Sequence, residues 1–407
     1  MVLKNFRSIL IVMLVCFLSV GVARAADKSA WKIGVAVSLT GVFGKDGSLV
    51  KDAYTLWQET VNSQGGINGA PVELIFYDDK SDPATTAKLT EQLIVSDKVD
   101  LLLGGFGSSQ LFAASPVAEK YQFPLISGGA SSNKLFERGF KYYFSTLGKA
   151  TEEVRGCVDI FSVVTPKPKT AAIIGADILF TSLACDGFKK YCQKNGIEVI
   201  HFELFPMALQ DYNSLLMKVK NKKPDVLLVG SHLLVAMKTV KAMKEIDFSP
   251  KAVAFSYGPT VPKFVEDLKG DANYVIAASE WTPNMPYSGK VFGTAGDFSK
   301  LYIKRFNRRP DYVEAAAAGG AVAQQQVLEE LGLKPPLSKE NRIRIMEALH
   351  KDKFETFYGK IQFGNDGANE AHPPVAVQIQ SEKLENVFPL DFAEAKILYP
   401  FKPWKER

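Results

Sequence analysis

The stretch Val99–Ser132, VDLLLGGFGSSQLFAASPVAEKYQFPLISGGASS, constrains the fold more than any other part of the chain. Val99 to Leu103 reads as a strand buried on both faces. Gly104, Gly105 and Gly107 break it, and Ser108 and Ser109 open a helix with Leu111, Phe112, Val117, Ala118 and Tyr121 at helical spacing. Pro124 to Ile126 is a second short strand, ending in Ser127, Gly128, Gly129, Ala130, Ser131 and Ser132. Two parallel strands thus deliver two turns rich in glycine and hydroxyls to one carboxyl edge of a sheet. Free backbone N–H groups and serine hydroxyls there make a donor-rich site for an anion such as a carboxylate.

The same alternation runs through most of the chain. Trp31 to Leu39 is a strand followed by the glycine-bearing loop VFGKDG, and a helix is expected from Ser48 to the Gly65-Gly66 stop. Val72 to Tyr77 is the next strand. Asp82-Pro83 starts a helix, with Asp at the N-cap and Pro at the first helical position. After Ala150 the pattern restarts: a helix over Thr151 to Val164, then strands near 170, 198, 225, 251 and 274, with helices between them. The carboxyl edges of this second set carry Asp177, Ser231, His232, Tyr257 and Trp281. Further helices are expected over Phe298–Phe306, Tyr312–Leu331 and Lys339–Leu349, with a capping box at Asp311 to Glu314. A hairpin over Gly359–Gln380 would turn at Asn365-Asp366-Gly367. This is a doubly wound α/β pattern in two parts.

The N-terminal 25 residues read as a secretory signal peptide. Lys4 and Arg7 precede an apolar run, Ile9 to Val20, and Ala23-Arg24-Ala25 supplies the cleavage site. Cleavage near Ala25 and a periplasmic location follow as expectations. The leader holds Lys4, Arg7 and Arg24, which leaves 46 basic against 44 acidic residues in the remainder. That balance gives no reason to propose a nucleic-acid partner. About 380 residues are more than one core usually serves, so two domains are expected. Export permits disulfides. Cys185 and Cys192 lie seven apart on one helix, roughly 10 Å by helical rise, too far to bond to each other, which leaves Cys157 to pair with one of them or all three as thiols. No spacing suggests a metal or another cofactor.

NSQGGINGAPVELIFYDDKSDP, the GGFGSS turn, VAEKYQFPLISGGASS with FERGFKYYF, VSLTG and the late FYGKIQF together resemble solute-binding proteins of the leucine/isoleucine/valine-binding family, which feed ABC importers. The resemblance covers nearly all of the chain after the leader. It implies the type I periplasmic binding fold, with two doubly wound parallel-sheet lobes and a three-strand hinge. Lobe I would be 27–147 plus 282–356, and lobe II 148–281 plus 357–407. It also implies a small-molecule ligand, a membrane permease as partner and a monomeric chain.

By position, the family's carboxylate-binding groups fall on Ser108, Gly129 and Ser131, with Ser109 and Ala130 beside them. Where amino-acid binders place a lobe II acid for the ligand ammonium, this chain offers Tyr257. Where they often carry an aromatic residue after the first strand, it has Asp46. His232 and Trp281 complete the expected lobe II wall. Without the lobe II acid, an α-ammonium group loses a charge-assisted partner worth about 1.5–3 kcal/mol. A branched-chain or other amino acid is the first expected ligand, and an amine-free aromatic or aliphatic carboxylate or a short amide is the alternative. A sensor ectodomain is the second functional reading and a hydrolase the third. GGFGSS lacks the third glycine of a dinucleotide fingerprint, and no GxSxG, HExxH or P-loop occurs, so the chain is read as a binder and not an enzyme.

Overall fold

The computed structural model describes residues 29–371 and 373–406. The proposed leader lies outside the described residues. The first sheet is built from β1 (Trp31–Val37), β2 (Val72–Asp78), β3 (Leu101–Leu103), β4 (Leu125–Ser127) and β5 (Tyr143–Ser145), all parallel, in the order β2-β1-β3-β4-β5. The second contains β6 (Thr170–Ala176), β7 (Glu198–Phe205), β8 (Val226–Gly230), β9 (Ala252–Phe255) and β10 (Ile276–Ser279). Two short antiparallel pairs follow, β11 (Ser288–Gly289) with β12 (Gly293–Thr294) and β13 (Phe354–Thr356) with β14 (Gly359–Ile361). β15 (Val375–Gln380) and β16 (Lys383–Phe388) then join the second sheet antiparallel, giving the order β16-β15-β10-β9-β8-β6-β7.

The apolar runs explain the sheets. β3, β4, β8, β9 and β10 are buried at every residue, as strands covered by helices on both faces must be. Asp100, just before β3, is tied in by accepting the N–H groups of Lys32 and Leu337 at 3.0 and 2.8 Å. The helix starts follow local chemistry. Asp82 accepts from Thr85 N at 2.7 Å, and Asp311 and Glu314 form the expected capping box.

Three local expectations need correction. The first helix spans Gly44–Ser63, so the glycine-bearing segment is its first turn and not a loop. Gly47 is required there because a Cβ would stand 1.8 Å from Ser38 O; a glycine demanded by close packing reads from sequence as a breaker. The helix expected over Thr151–Val164 is three short pieces, Ala150–Glu153, Arg155–Asp159 and a 3₁₀ turn, broken at Val154 where ψ is −4°. The hairpin over 359–380 is cut short, with Phe363 bridged antiparallel to Asn369 and Glu370 N bonded to Gln362 O but no pairing farther out among the described residues. Its turn exists, with Gly364 N bonded to Ala368 O and Gly367 N to Gly364 O. Beyond it Pro373 and Pro374 offer no N–H donors, and the chain leaves for the second sheet. Cys157, Cys185 and Cys192 are free and buried.

Among the described residues the chain passes between the sheets three times, between β5 and the Ala150–Glu153 helix, after β10, and between Asn369 and β15. Before the last passage, Ala368 is bridged to Ser145, and Asn369 N donates to Ser145 O at 3.0 Å. The Ala-rich helix Tyr312–Glu330 packs on the first sheet and on the helix Gly44–Ser63. Gly128 touches its backbone so closely that a Cβ would lie 2.2 Å from Ala317 N. That contact brings the first turn of the Ala-rich helix to the edge where the two hydroxyl-rich turns end.

Candidate functional site

A narrow cavity of about 20 Å³, room for about one water, lies between the two sheets at their facing carboxyl edges, so a ligand enters only as the lobes part. From the first-sheet side it is lined by Phe106, Ser108, Gly129, Ala130 and Ser131, and from the second by Phe180, His232 and Tyr257. Leu147 at the first crossing and Tyr312 and Val313 from the Ala-rich helix complete the wall.

The two serine turns are locked together. Gly107 N donates to Gly129 O at 2.9 Å. Ser108 Oγ accepts from Ser131 N at 3.3 Å and from Ser132 N at 3.1 Å. A hydroxyl has two acceptor lone pairs and one proton. With both lone pairs taken, what Ser108 still offers at the cavity wall is its O–H. The start of the helix Ser108–Tyr121 adds unsatisfied N–H groups and the positive end of the helix dipole. This corner is built to donate.

The opposite wall is aromatic. His232 sits 5.0 Å from Phe43, 5.2 Å from Phe180, 5.7 Å from Phe106 and 5.9 Å from Tyr257, ring centre to ring centre. Tyr257 in turn meets Tyr312 edge-on at 5.7 Å. Ser231 fixes this arrangement: its Oγ donates to Tyr257 O at 2.6 Å and its N–H to Ser256 Oγ at 2.9 Å. Burial pushes His232 down to about 3, so the imidazole is neutral, and its Nδ1 has no partner.

Asp46 stands behind this wall and not on the cavity surface. Its Oδ1 accepts from Tyr257 Oη at 3.3 Å, a bond that joins the two lobes. Burial raises its carboxyl to about 7, with the Tyr257 hydrogen bond opposing the shift. A second buried acid, Asp311, is raised to about 7 by burial and by neighbouring Glu314. Among the described residues, no Asp, Glu, Lys or Arg lines the cavity.

The structure therefore brings together Ser108, Gly129, Ala130, Ser131, His232 and Tyr257, and attaches Asp46 to them through Tyr257. It does not bring Ser109 or Trp281 to the cavity. Ser109 is half-buried along the helix. Trp281 is buried elsewhere, with Nε1 donating to Phe357 O at 3.0 Å and its ring against Phe298 and Phe357. Phe106, Phe180, Tyr312, Val313 and Leu147 were not singled out from the sequence. Phe106 sat inside the GGFGSS turn and Phe180 after a strand end, and both positions could have been read as cleft walls. Tyr312 could not, because only the packing at Gly128 places it.

Residues 30–383 match the model of a family described as periplasmic binding protein. A leucine-, isoleucine-, valine-, threonine- and alanine-binding protein of Pseudomonas aeruginosa is 27% identical over 202 residues, 49% of this chain and 53% of that protein. The aligned part thus spans about half the length of that relative. The branched-chain amino acid transporter substrate binding protein LivJ of Streptococcus pneumoniae, solved with isoleucine, superposes with a TM-score of 0.76 at 21% identity, covering 91% of this chain and all of that one. A solute binding protein of an ABC transporter from R. palustris, solved with benzoate, superposes with a TM-score of 0.75 at 16% identity over 88% of this chain and 96% of that one. The architecture is the type I periplasmic binding fold expected from the sequence. On the family match, which spans most of its length, the chain belongs to the periplasmic binding protein family.

Proposed function

We propose that this protein captures a small carboxylate with an apolar, aromatic-sized body in the cavity between its lobes and delivers it to the permease of an ABC importer. The observation that carries this is Ser108: both lone pairs of its hydroxyl are occupied by backbone N–H groups, so the cavity wall presents a donor that calls for an anionic acceptor. Ser131 and the helix start reinforce it. Around the rest of the ligand stand Phe106, Phe180, Tyr257 and Tyr312, which suit a ring or branched chain. The serine turns bind the carboxylate first. The second lobe then closes His232 and Tyr257 over the other end, and exclusion of water strengthens the polar contacts. The protein acts in this reading as a monomeric, non-enzymatic component of the periplasm.

A branched-chain amino acid is the second reading, favoured by Asp46. Its carboxylate lies one hydrogen bond behind Tyr257 and is the acid this reading pairs with a ligand ammonium. A thermal-shift panel of leucine, phenylalanine, benzoate, a hydroxycinnamate and a short amide separates the two. A ligand at 100 times its Kd adds about 2.7 kcal/mol of stability. Shifts from benzoate or the hydroxycinnamate alone support the first reading. Shifts from leucine alone replace it with the second. Recovery of chemically altered ligand would instead return the hydrolase reading.

A further inference from the structure

The amino edge of the second sheet, on the side away from the cleft, collects basic segments that the cleft does not use. Lys167 and Lys169 lie in the turn before β6, Lys222 and Lys223 before β8, and Lys251 before β9. The C-terminal segment is laid across the same edge. Tyr399 Oη donates to Pro166 O at 2.9 Å, Phe401 N to Lys251 O at 2.7 Å and Trp404 Nε1 to Phe248 O at 2.9 Å. That segment adds Lys402 and Lys405, and Lys220 joins them with its Nζ donating to Ile246 O at 2.6 Å. Against these eight lysines stand Asp225, Asp247, Glu198 and Glu406, and Asp225 is already paired with Lys251 at 2.6 Å. The chain after the leader has 46 basic and 44 acidic residues, so the surplus gathered at this edge exceeds that of the whole.

Tyr399 also lines an apolar groove of about 480 Å³ that runs from this edge along the flank of the lobe, between residues 160–165 and 387–399. Val163 and Leu390, both on the groove, are 48% and 62% exposed. Lys396 and Glu394 offset each other along it, so the groove itself is apolar and close to neutral.

We propose that this edge and its groove are a docking surface for a bilayer that carries anionic phospholipid, the lysines meeting headgroup phosphates and the groove taking hydrocarbon at the interface. A concentration of lysines attracts any polyanion. Exposed aliphatic side chains beside it favour a lipid surface, where both the charge and the apolar area are used. A nucleic acid would call for aromatic faces on which bases stack, and here Phe401 and Trp404 are buried under the C-terminal segment. Among the described residues no helix is long and apolar enough to cross a membrane, so the contact is peripheral. Because this edge is opposite the one that faces the cleft, docking leaves the cleft accessible. The surface is independent of what the cleft binds.

The test is co-sedimentation of the purified protein with vesicles of phosphatidylcholine containing about 30% phosphatidylglycerol, against vesicles of phosphatidylcholine alone, at about 20 and about 300 mM potassium chloride. Binding to the phosphatidylglycerol vesicles alone is expected, at least tenfold weaker at the higher salt. Lys167→Glu combined with Lys222→Glu and Lys405→Glu should weaken it at least tenfold. Val163→Ser combined with Leu390→Ser, which leaves the charge unchanged, should weaken it at least threefold. Equal binding to phosphatidylcholine, no binding to either vesicle, or undiminished binding in the lysine variant overturns the surface. Undiminished binding in Val163→Ser with Leu390→Ser overturns the lipid assignment and leaves a general polyanion surface. The lipid and salt arms are read on the unaltered protein, so a variant that fails to fold does not remove the test. Carboxylate affinity in the cleft, measured on the same lysine variant without vesicles, should match the parent, which keeps failure of this surface distinct from failure of the cleft reading.

Discussion

Closure of the cleft should take up a proton at Asp46. In the closed form the carboxyl is buried, and burial raises it from 3.8 to about 7; the hydrogen bond from Tyr257 lowers it, Glu314 raises it and Lys45 lowers it by smaller amounts. In an open form the same group meets water and returns toward its ordinary value. A carboxyl raised in the closed form favours closure fully below the ordinary value and loses that advantage as pH rises through about 7. Each pKa unit is worth about 1.4 kcal/mol. Between pH 5.5 and 8 the closed form should therefore lose about 2 kcal/mol, or a factor of about 30 in affinity for an amine-free carboxylate. Asp311 and Glu280, also raised to about 7, and Glu314, also raised, add to the slope only where closure changes their burial. His232 is neutral throughout this window and does not. Isothermal titration of benzoate, or of whichever carboxylate the panel selects, across this range in the unaltered protein and in Asp46→Asn isolates the Asp46 share. The slope should flatten by about one decade or more in Asp46→Asn. An unchanged slope refutes the reasoning, as does an affinity for an amine-free carboxylate that rises with pH.

Much of this was legible because parallel sheets write themselves plainly. Fully buried strands such as Val226–Gly230 are apolar runs, and the serine turns follow them at once. Ser108, Gly129 and Ser131 could be found because the chemistry of anion binding needs hydroxyls and free N–H groups at strand ends. The far wall was only half legible. His232 and Tyr257 sit at strand ends and were visible for that reason. Tyr312 reaches the cavity from a helix more than fifty residues later than Tyr257, through a backbone contact at Gly128 that no local pattern records. Trp281 misled for the converse reason: it also follows a strand end, but its indole N–H finds Phe357 O and carries the ring away from the cleft. The helix start at Gly44 was missed because Gly47 answers a tertiary contact with Ser38, and propensity reads it as a breaker.

Ser131→Ala should weaken carboxylate binding about tenfold with little change in ligand-free melting, whereas Ser108→Ala should also lower melting by about 1 kcal/mol, because its oxygen holds two backbone N–H groups; calorimetry and thermal melts check both. Trp281→Phe should cost about 1 kcal/mol of stability through the lost bond to Phe357 and leave ligand affinity unchanged, and a changed affinity would put Trp281 back in the cleft. Gly128→Ala should destabilise by several kcal/mol, since the added methyl meets Ala317 N at 2.2 Å, and a melt within 1 °C of the parent would refute the packing argument. The last prediction concerns His232 in the aromatic wall, whose Nδ1 has no partner. An apolar wall with one unmet polar atom should discriminate among ring substituents. A hydroxybenzoate whose hydroxyl reaches Nδ1 gains a hydrogen bond worth about 1 kcal/mol over benzoate, a several-fold preference. His232→Phe keeps the ring contacts with Phe43, Phe106 and Phe180 and removes the nitrogen. It should therefore retain benzoate and abolish the preference. If the preference survives in His232→Phe, the ring lies the other way round in the cleft, with its carboxylate away from the serine turns, and the assignment of Ser108 falls with it.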